Sequence, residues 1–268
     1  MIAFGAATTP AARLRAWLAV RHSLGGEALA VLALYGLYEL ARGLVAGDTG
    51  AAERHAHRLV AVERRLHVFV EGNVQHAVHG LPGLIGLLGA AYLTLHLLVT
   101  AGVLLWLHQR RPAAFPFVRT TLLFASALAL VGYFAFPTAP PRLAGIGVVD
   151  TISNGHVNLN GGLLSSFYNP YAAVPSMHVG YALIVAVALL RYGRGRLARV
   201  LALLYPPTVL LTIVATGNHF FLDAAAGALV AAVAAVPAAL LVRRSAPAPL
   251  ATLPRRTEEL RCCDELAA

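Results

Sequence analysis

His219 and Asp223 have residue types and a spacing that favour catalysis. Four positions separate them, so on a helix both side chains lie on the same face. An aspartate in this position accepts a hydrogen bond from one imidazole nitrogen, which leaves the other nitrogen available as a nucleophile or base. The spacing alone also fits an aspartate near a helix N-terminus beside a histidine that is only packed there.

A second cluster with chemical potential is Pro175-Ser176-Met177-His178, which we expect at the start of a helix. The exposed N–H groups of a helix N-terminus bind anions, and the Ser176 hydroxyl can add a donor. His178 lies in the first turn, where it can protonate a departing oxygen. Arg142 follows the third apolar segment, and its guanidinium suits a phosphate. The simpler alternative is a capped helix with an incidental histidine.

These residues must be positioned by apolar helices, because 58% of the chain is hydrophobic and only 12% is charged. Soluble domains carry about a quarter charged residues. We therefore predict an all-α, polytopic membrane protein with six transmembrane helices in a bundle. The fourth predicted span is the shortest. The six apolar segments lie near 27–46, 81–106, 117–137, 176–191, 198–217 and 220–242.

The basic residues predict the orientation of the bundle. All of them are arginines, and most lie in segments that are cytoplasmic if the N-terminus is cytoplasmic. We expect cytoplasmic tails at 1–26 and 243–268 and a catalytic domain at 27–242 in the cell membrane. All the candidate site residues then lie at the outer face. Because the arginines form short clusters between apolar runs, the net charge of +9 does not indicate nucleic-acid binding.

Two further segments belong to the predicted outer face. Apolar residues recur at spacings of three and four within about 52–72, which predicts an interfacial amphipathic helix. The loop at about 138–175 is long enough to be functional or disordered. Histidines in and after the amphipathic segment match no compact ligand spacing, so we interpret them as a solvated face and expect no metal. These histidines are His55, His57, His67, His76 and His79.

The motifs Pro175-Ser176-Met177-His178 and His219-x-x-x-Asp223 resemble the second and third signature motifs of the type 2 phosphatidic acid phosphatase superfamily. Three other segments resemble one branch more closely, which includes inositol phosphorylceramide synthases and, more distantly, sphingomyelin synthases. The resemblance covers roughly 50–240. The three segments are Ala139-Pro140-Pro141-Arg142, the run from Asn169 to Pro175, and Gly217-Asn218-His219-Phe220.

The resemblance implies a role for each matching residue. His219 resembles the nucleophile that forms a phosphohistidine, and Asp223 resembles its orienting carboxylate. His178 resembles the general acid for the leaving group and then the base for the acceptor. Phosphate oxygens are expected to bind Arg142 and Ser176, with help from Asn218, and no cofactor is implied.

Departures from the phosphatase pattern favour the phosphotransferase branch. That pattern has an arginine six residues before the third-motif histidine, where this chain has Ile213. Its first motif contains a lysine, and this chain has none. Arg142 is followed by Leu143 rather than by the expected proline. Vanadate-dependent oxidation, known among relatives, is disfavoured because it needs a pocket rich in cations.

We therefore expect a lipid phosphotransferase or phosphohydrolase whose acceptor is an alcohol or water, since both reactions share the first step. A plain lipid phosphate or prenyl pyrophosphate phosphatase is the alternative. A non-enzymatic lipid or ion transporter is another, with Glu27, Glu39 and His96 along a path. We instead expect the two glutamates to pair with Arg42 or the backbone, and His96 to be packed. Cys262 and Cys263, adjacent in the tail, are expected to have no structural role.

Overall fold

The fold is helical throughout the described residues. A computed structural model describes residues 24–44, 49–151, 169 and 171–245. Most of each predicted tail, and both cysteines, lie outside the described residues. Within them the structure has eight α-helices, one 3₁₀ helix and no β-strand, which confirms the predicted all-α class. The helices are α1 Leu24–Leu44, α2 Thr49–Arg65, α3 Glu71–His79, α4 Leu84–Arg110, α5 Phe115–Ala135, the 3₁₀ helix Pro141–Leu143, α6 Met177–Tyr192, α7 Gly195–Ala215 and α8 Phe221–Ser245.

Five of the described helices are long and apolar enough to cross a membrane: α1, α4, α5, α7 and α8. The remaining apolar helix, α6, has 16 residues, which at the α-helical rise gives a length of about 24 Å. A bilayer core is about 30 Å thick. This helix is the central one, because it packs against α4, α5, α7 and α8. Its surroundings are therefore mainly protein.

The contact between α6 and α8 brings the two histidine motifs together. Gly227 of α8 lies so close to the backbone of Ser176 that a Cβ there would clash with the Ser176 carbonyl oxygen. Gly180 of α6 faces the same crossing, and a Cβ on it would be 3.2 Å from the Gly227 carbonyl oxygen. Glycine at position 227 is therefore required for the helix starts to approach each other.

Helix α1 is fastened to α5 at both ends. Near its start, the buried carboxyl group of Glu27 accepts hydrogen bonds from Arg119 Nη1 at 2.5 and 2.6 Å. Near its end, the hydroxyl groups of Tyr38 and Tyr133 are 3.3 Å apart. The expected pairing of Glu39 with Arg42 is confirmed at 3.3 Å. The same expectation was wrong for Glu27, because the packing of α1 on α5 places Arg119 beside it.

The amphipathic segment predicted at about 52–72 is helical in α2 up to Arg65, and a second helix, α3, begins at Glu71. Helix α2 ends before His67, which has a positive φ of 58°, a conformation that interrupts a right-handed helix. Ala52, Ala56 and Val60 of α2 are buried and pack against Phe220, beside the start of α8.

In residues 24–44, 49–151, 169 and 171–245, no three histidine, cysteine or acidic side chains are grouped to hold a metal ion.

Candidate active site

A tight turn between α7 and α8 carries His219. Gly217 has a φ of 69°, and a Cβ there would lie 2.7 Å from Val148 Cγ1, so the turn requires glycine in both conformation and space. The N–H groups of Asn218 and His219 both donate to the carbonyl of Ile213, at 2.9 and 3.2 Å. The turn therefore holds the backbone of His219 in place.

The hydrogen bonds of Asp223 determine the tautomer of His219. His219 Nδ1 lies 3.3 Å from Asp223 Oδ2, which also accepts from the Phe220 N–H at 2.9 Å. A carboxylate oxygen accepts hydrogen bonds, so Nδ1 carries the proton in this contact. The lone pair of the neutral ring is then on Nε2, the nitrogen needed by a nucleophile. Asp223 is fully buried, so the contact is shielded from solvent.

His178 is surrounded by other rings. Its centroid is 4.4 Å from that of Tyr92, 4.2 Å from that of His96 and 5.6 Å from that of His219. His178 Nε2 lies 3.2 Å from the Tyr92 carbonyl oxygen, and because a carbonyl only accepts, Nε2 is the donor. The sequence predicted that His96 is packed, and the structure places it in the site, packed against His178.

Both histidines line a polar pocket with a cavity volume of about 40 Å³. The end of α1 contributes a polar face to its wall. Tyr35, Tyr38, Glu39 and Arg42 recur at spacings of three and four, so they lie on one side of that helix. Other polar groups come from α4, α5, α6 and the connecting segments: Tyr92, His96, Tyr133, Asn169, Tyr181 and Asn218.

Among the described residues that line the pocket, Arg42 is the one arginine. No motif in the sequence indicated Arg42 as a phosphate ligand. The repeated polar positions within the otherwise apolar α1 are the signal that could have identified it. Its guanidinium is held by Glu39, and the side chains of both residues are 20% exposed. The α1 wall therefore presents a cation to the histidines.

The three predicted phosphate ligands lie in different places. Asn218 lines the pocket. Arg142 does not line it; its Nε donates to Asn218 Oδ1 and its Nη1 to Asp150 Oδ2, both at 3.0 Å. Ser176 is fully buried, and its Oγ has no hydrogen-bond partner among the described residues. The structure thus brings His178, His219, Asp223 and Asn218 together, and places Arg142 behind Asn218.

The family model of the PAP2 superfamily matches residues 57–237, more than half of the chain. The chain belongs to the PAP2 superfamily. No curated protein and no solved structure matches the chain. PAP2 membership supports an enzyme of the phosphatase and phosphotransferase class that acts on lipid phosphates, in agreement with the apolar helices. The PAP2 match includes both histidine motifs, whereas Arg42 and Glu39 precede it.

Proposed function

We propose that this PAP2 superfamily protein is a membrane phosphotransferase or phosphohydrolase acting on a lipid phosphate or phospholipid head group. The observation that carries the proposal is the pair of histidines in one polar pocket, with ring centroids 5.6 Å apart. A nucleophile and an acid–base group at this separation can act on opposite sides of one phosphorus atom.

In the proposed reaction, Nε2 of His219 attacks phosphorus. The Nδ1 of His219 keeps its proton, which it donates in the hydrogen bond to Asp223. The new P–N bond replaces the P–O bond to the leaving group, whose oxygen takes a proton from the imidazolium form of His178 and leaves a neutral ring. An oxygen that replaces the Tyr92 carbonyl as acceptor receives the Nε2 proton of His178 directly. An alcohol or water, deprotonated by His178, then attacks phosphorus, breaks the P–N bond and regenerates His219.

Arg42 is the proposed phosphate-binding cation. Position 213, where the phosphatase pattern has an arginine, is occupied by an isoleucine that is fully buried in an apolar cluster. A guanidinium donates to phosphate oxygens through several N–H groups. Arg42 can supply this charge from α1, in the pocket that Asn218 also lines. Arg142 then acts by orienting Asn218, with Asp150 holding its other end.

The polar face of α1, with Tyr35, Tyr38 and Glu39, supports the phosphotransferase branch, which is the branch similar to inositol phosphorylceramide synthases. Hydroxyl groups and the Glu39 carboxylate offer donors and acceptors to an alcohol, and a walled site favours transfer over hydrolysis by limiting water.

We also propose that α6 is the sixth span. Arginine placement supports cytoplasmic termini, a site at the outer face of the cell membrane, and α2 and α3 at that face.

An apolar groove supports a lipid substrate. It has a cavity volume of about 370 Å³ between α6, α7 and α8, and its lining includes Val179 and Ala224, the residues that follow His178 and Asp223. An acyl or prenyl chain in this groove would extend into the bilayer while its head group lies in the polar pocket. The remaining lining residues are Leu183, Pro206, Pro207, Leu210, Phe221 and Ala225.

The proposal is tested with purified protein and a panel of phosphatidic acid, prenyl phosphates and phosphatidylinositol, with and without alcohol acceptors. Wild-type protein should turn over at least one substrate and form an acid-labile phosphoprotein. His219→Ala should lose both activities, whereas His57→Ala, which changes an exposed histidine of α2, should keep them. Wild-type-like turnover by folded His219→Ala would refute the assignment.

A further inference from the structure

Two buried glutamates outside the pocket contact the start of α8. Glu63, in the last turn of α2, and Glu71, in the first turn of α3, are both fully buried. Glu63 Oε1 accepts from the Leu222 N–H at 2.8 Å, and Glu71 Oε1 accepts from the Phe221 N–H at 3.2 Å. The first N–H groups of a helix have no partner within it. The two carboxyl groups therefore cap the helix whose first turn includes Asp223.

The other oxygen of each carboxyl group lacks a donor. Neither Glu63 Oε2 nor Glu71 Oε2 has a hydrogen-bond partner among the described residues. Because they accept from the N–H groups of the consecutive residues Phe221 and Leu222, the two carboxyl groups are held next to each other. Two buried carboxylates side by side repel, and each loses its hydration. One proton between them removes one charge and provides the missing hydrogen bond.

We propose that Glu63 and Glu71 share one proton and, as a hydrogen-bonded pair, position the start of α8 and hence Asp223 behind His219. The other titratable groups that face the pair are on α8 and the turn before it: Asp223 and, through Asp223, His219. No arginine or histidine in the described part of the chain forms an ion pair with either glutamate. The pair is therefore neutralised by a proton rather than by a cation.

Burial and the hydrogen bond with Glu71 raise the pKa of Glu63 to about 8. The charges of Glu71 and Asp223 act in the same direction, while the Leu222 N–H opposes them. Between the ordinary glutamate pKa and about 8, the folded protein holds this proton and the unfolded chain does not. Stability must therefore fall as pH rises through that interval, and level off above it.

Glu63→Gln separates proton sharing from simple packing. The amide keeps an oxygen for the Leu222 N–H and supplies a permanent donor to Glu71 at every pH. The melting temperatures of the detergent-solubilised wild type and of Glu63→Gln are compared at each pH. The wild-type value minus the Glu63→Gln value should fall by roughly 3 °C per pH unit between pH 5 and 8. Infrared spectroscopy at pH 7 should show a protonated-carboxyl band in the wild type that Glu63→Gln lacks.

Glu53→Gln is the matched control, because Glu53 lies on the same helix with its side chain exposed. Its stability profile and infrared band should match the wild type. Parallel profiles for the wild type and Glu63→Gln, or a band that persists in Glu63→Gln, would overturn the shared proton. Neither readout requires a substrate, so they stand apart from the proposed function.

The positioning role has its own readout. With a substrate from the panel above, Glu63→Ala should lower kcat at least tenfold with little change in KM, and Glu63→Gln should restore kcat. Equal kcat values for wild type and a folded Glu63→Ala would overturn positioning. If Glu63→Gln is as impaired as Glu63→Ala, a neutral hydrogen-bonding pair is insufficient, which also overturns it.

Discussion

Replacing Arg42 with glutamine should weaken phosphate binding far more than the same change at Arg142. Only Arg42 of these two lines the pocket, whereas Arg142 reaches the site through Asn218. A hydrogen bond between charged groups contributes about 1.5–3 kcal/mol, so losing one raises the Kd for phosphate by about 10- to 150-fold. Arg142→Gln removes an orienting contact and should raise it by about fivefold.

The salt bridge to Glu39 adds to the expected effect. In Arg42→Gln, the Glu39 carboxylate stays in the same pocket and repels the anion. The double variant Glu39→Gln/Arg42→Gln should therefore bind phosphate more tightly than Arg42→Gln alone, although more weakly than the wild type. Partial exposure of both side chains limits this repulsion through solvent screening.

The assay is a titration of purified protein with inorganic phosphate, followed by the rise in melting temperature, which depends on ligand concentration and Kd. It needs no knowledge of the lipid. A Kd for Arg42→Gln within twofold of the wild type, with a tenfold or larger loss in Arg142→Gln, would refute the assignment to α1. It would restore Arg142 as the ligand that the family resemblance implies.

Three further predictions concern packing, the lipid and topology. Gly227→Ala should lower the melting temperature and turnover by separating α6 from α8, whereas Gly102→Ala, where a Cβ meets no atom within 4 Å, should do neither; equal melting temperatures would contradict this. Leu183→Trp should fill part of the apolar groove and raise KM at least tenfold for a long-chain substrate but not for its short-chain analogue; a parallel change for both chain lengths would count against tail binding. In a variant without native cysteines, Val149→Cys should react with an impermeant thiol reagent outside intact cells and Arg194→Cys only after lysis; the reverse result would invert the proposed topology.

Local spacing, together with the family resemblance, predicted several of the side chains that meet at the candidate site. His219 and Asp223 are four residues apart, and although His219 lies in the turn before α8, its Nδ1 still comes within 3.3 Å of Asp223 Oδ2. His178 joins them because it lies at the start of a neighbouring apolar helix, and alternating spans place such ends together. The apolar composition likewise predicted a helical membrane protein, and five of the predicted spans have helices of sufficient length.

The remaining features of the site could not be predicted from the sequence, because they depend on packing between residues that are distant in the chain. The position of Arg42 depends on how α1 lies against α5, fixed by contacts such as Tyr38 with Tyr133, 95 positions apart in the chain. Nothing in the local pattern around Arg142 indicates that Asn218 and Asp150 hold its guanidinium. The pairing of Glu63 with Glu71 was also missed, because it depends on the turn at His67 that separates α2 from α3.

The polar face of α1 has an evolutionary consequence. The residues proposed for bond making and breaking lie within the region shared with the superfamily, whereas Arg42 and Glu39 precede it. On the proposed assignment, substitutions in this one helix should change which head group or acceptor is recognised and leave the proposed histidine chemistry unchanged. A fragment trimmed to the family boundaries would keep the proposed triad but lose one wall of its pocket.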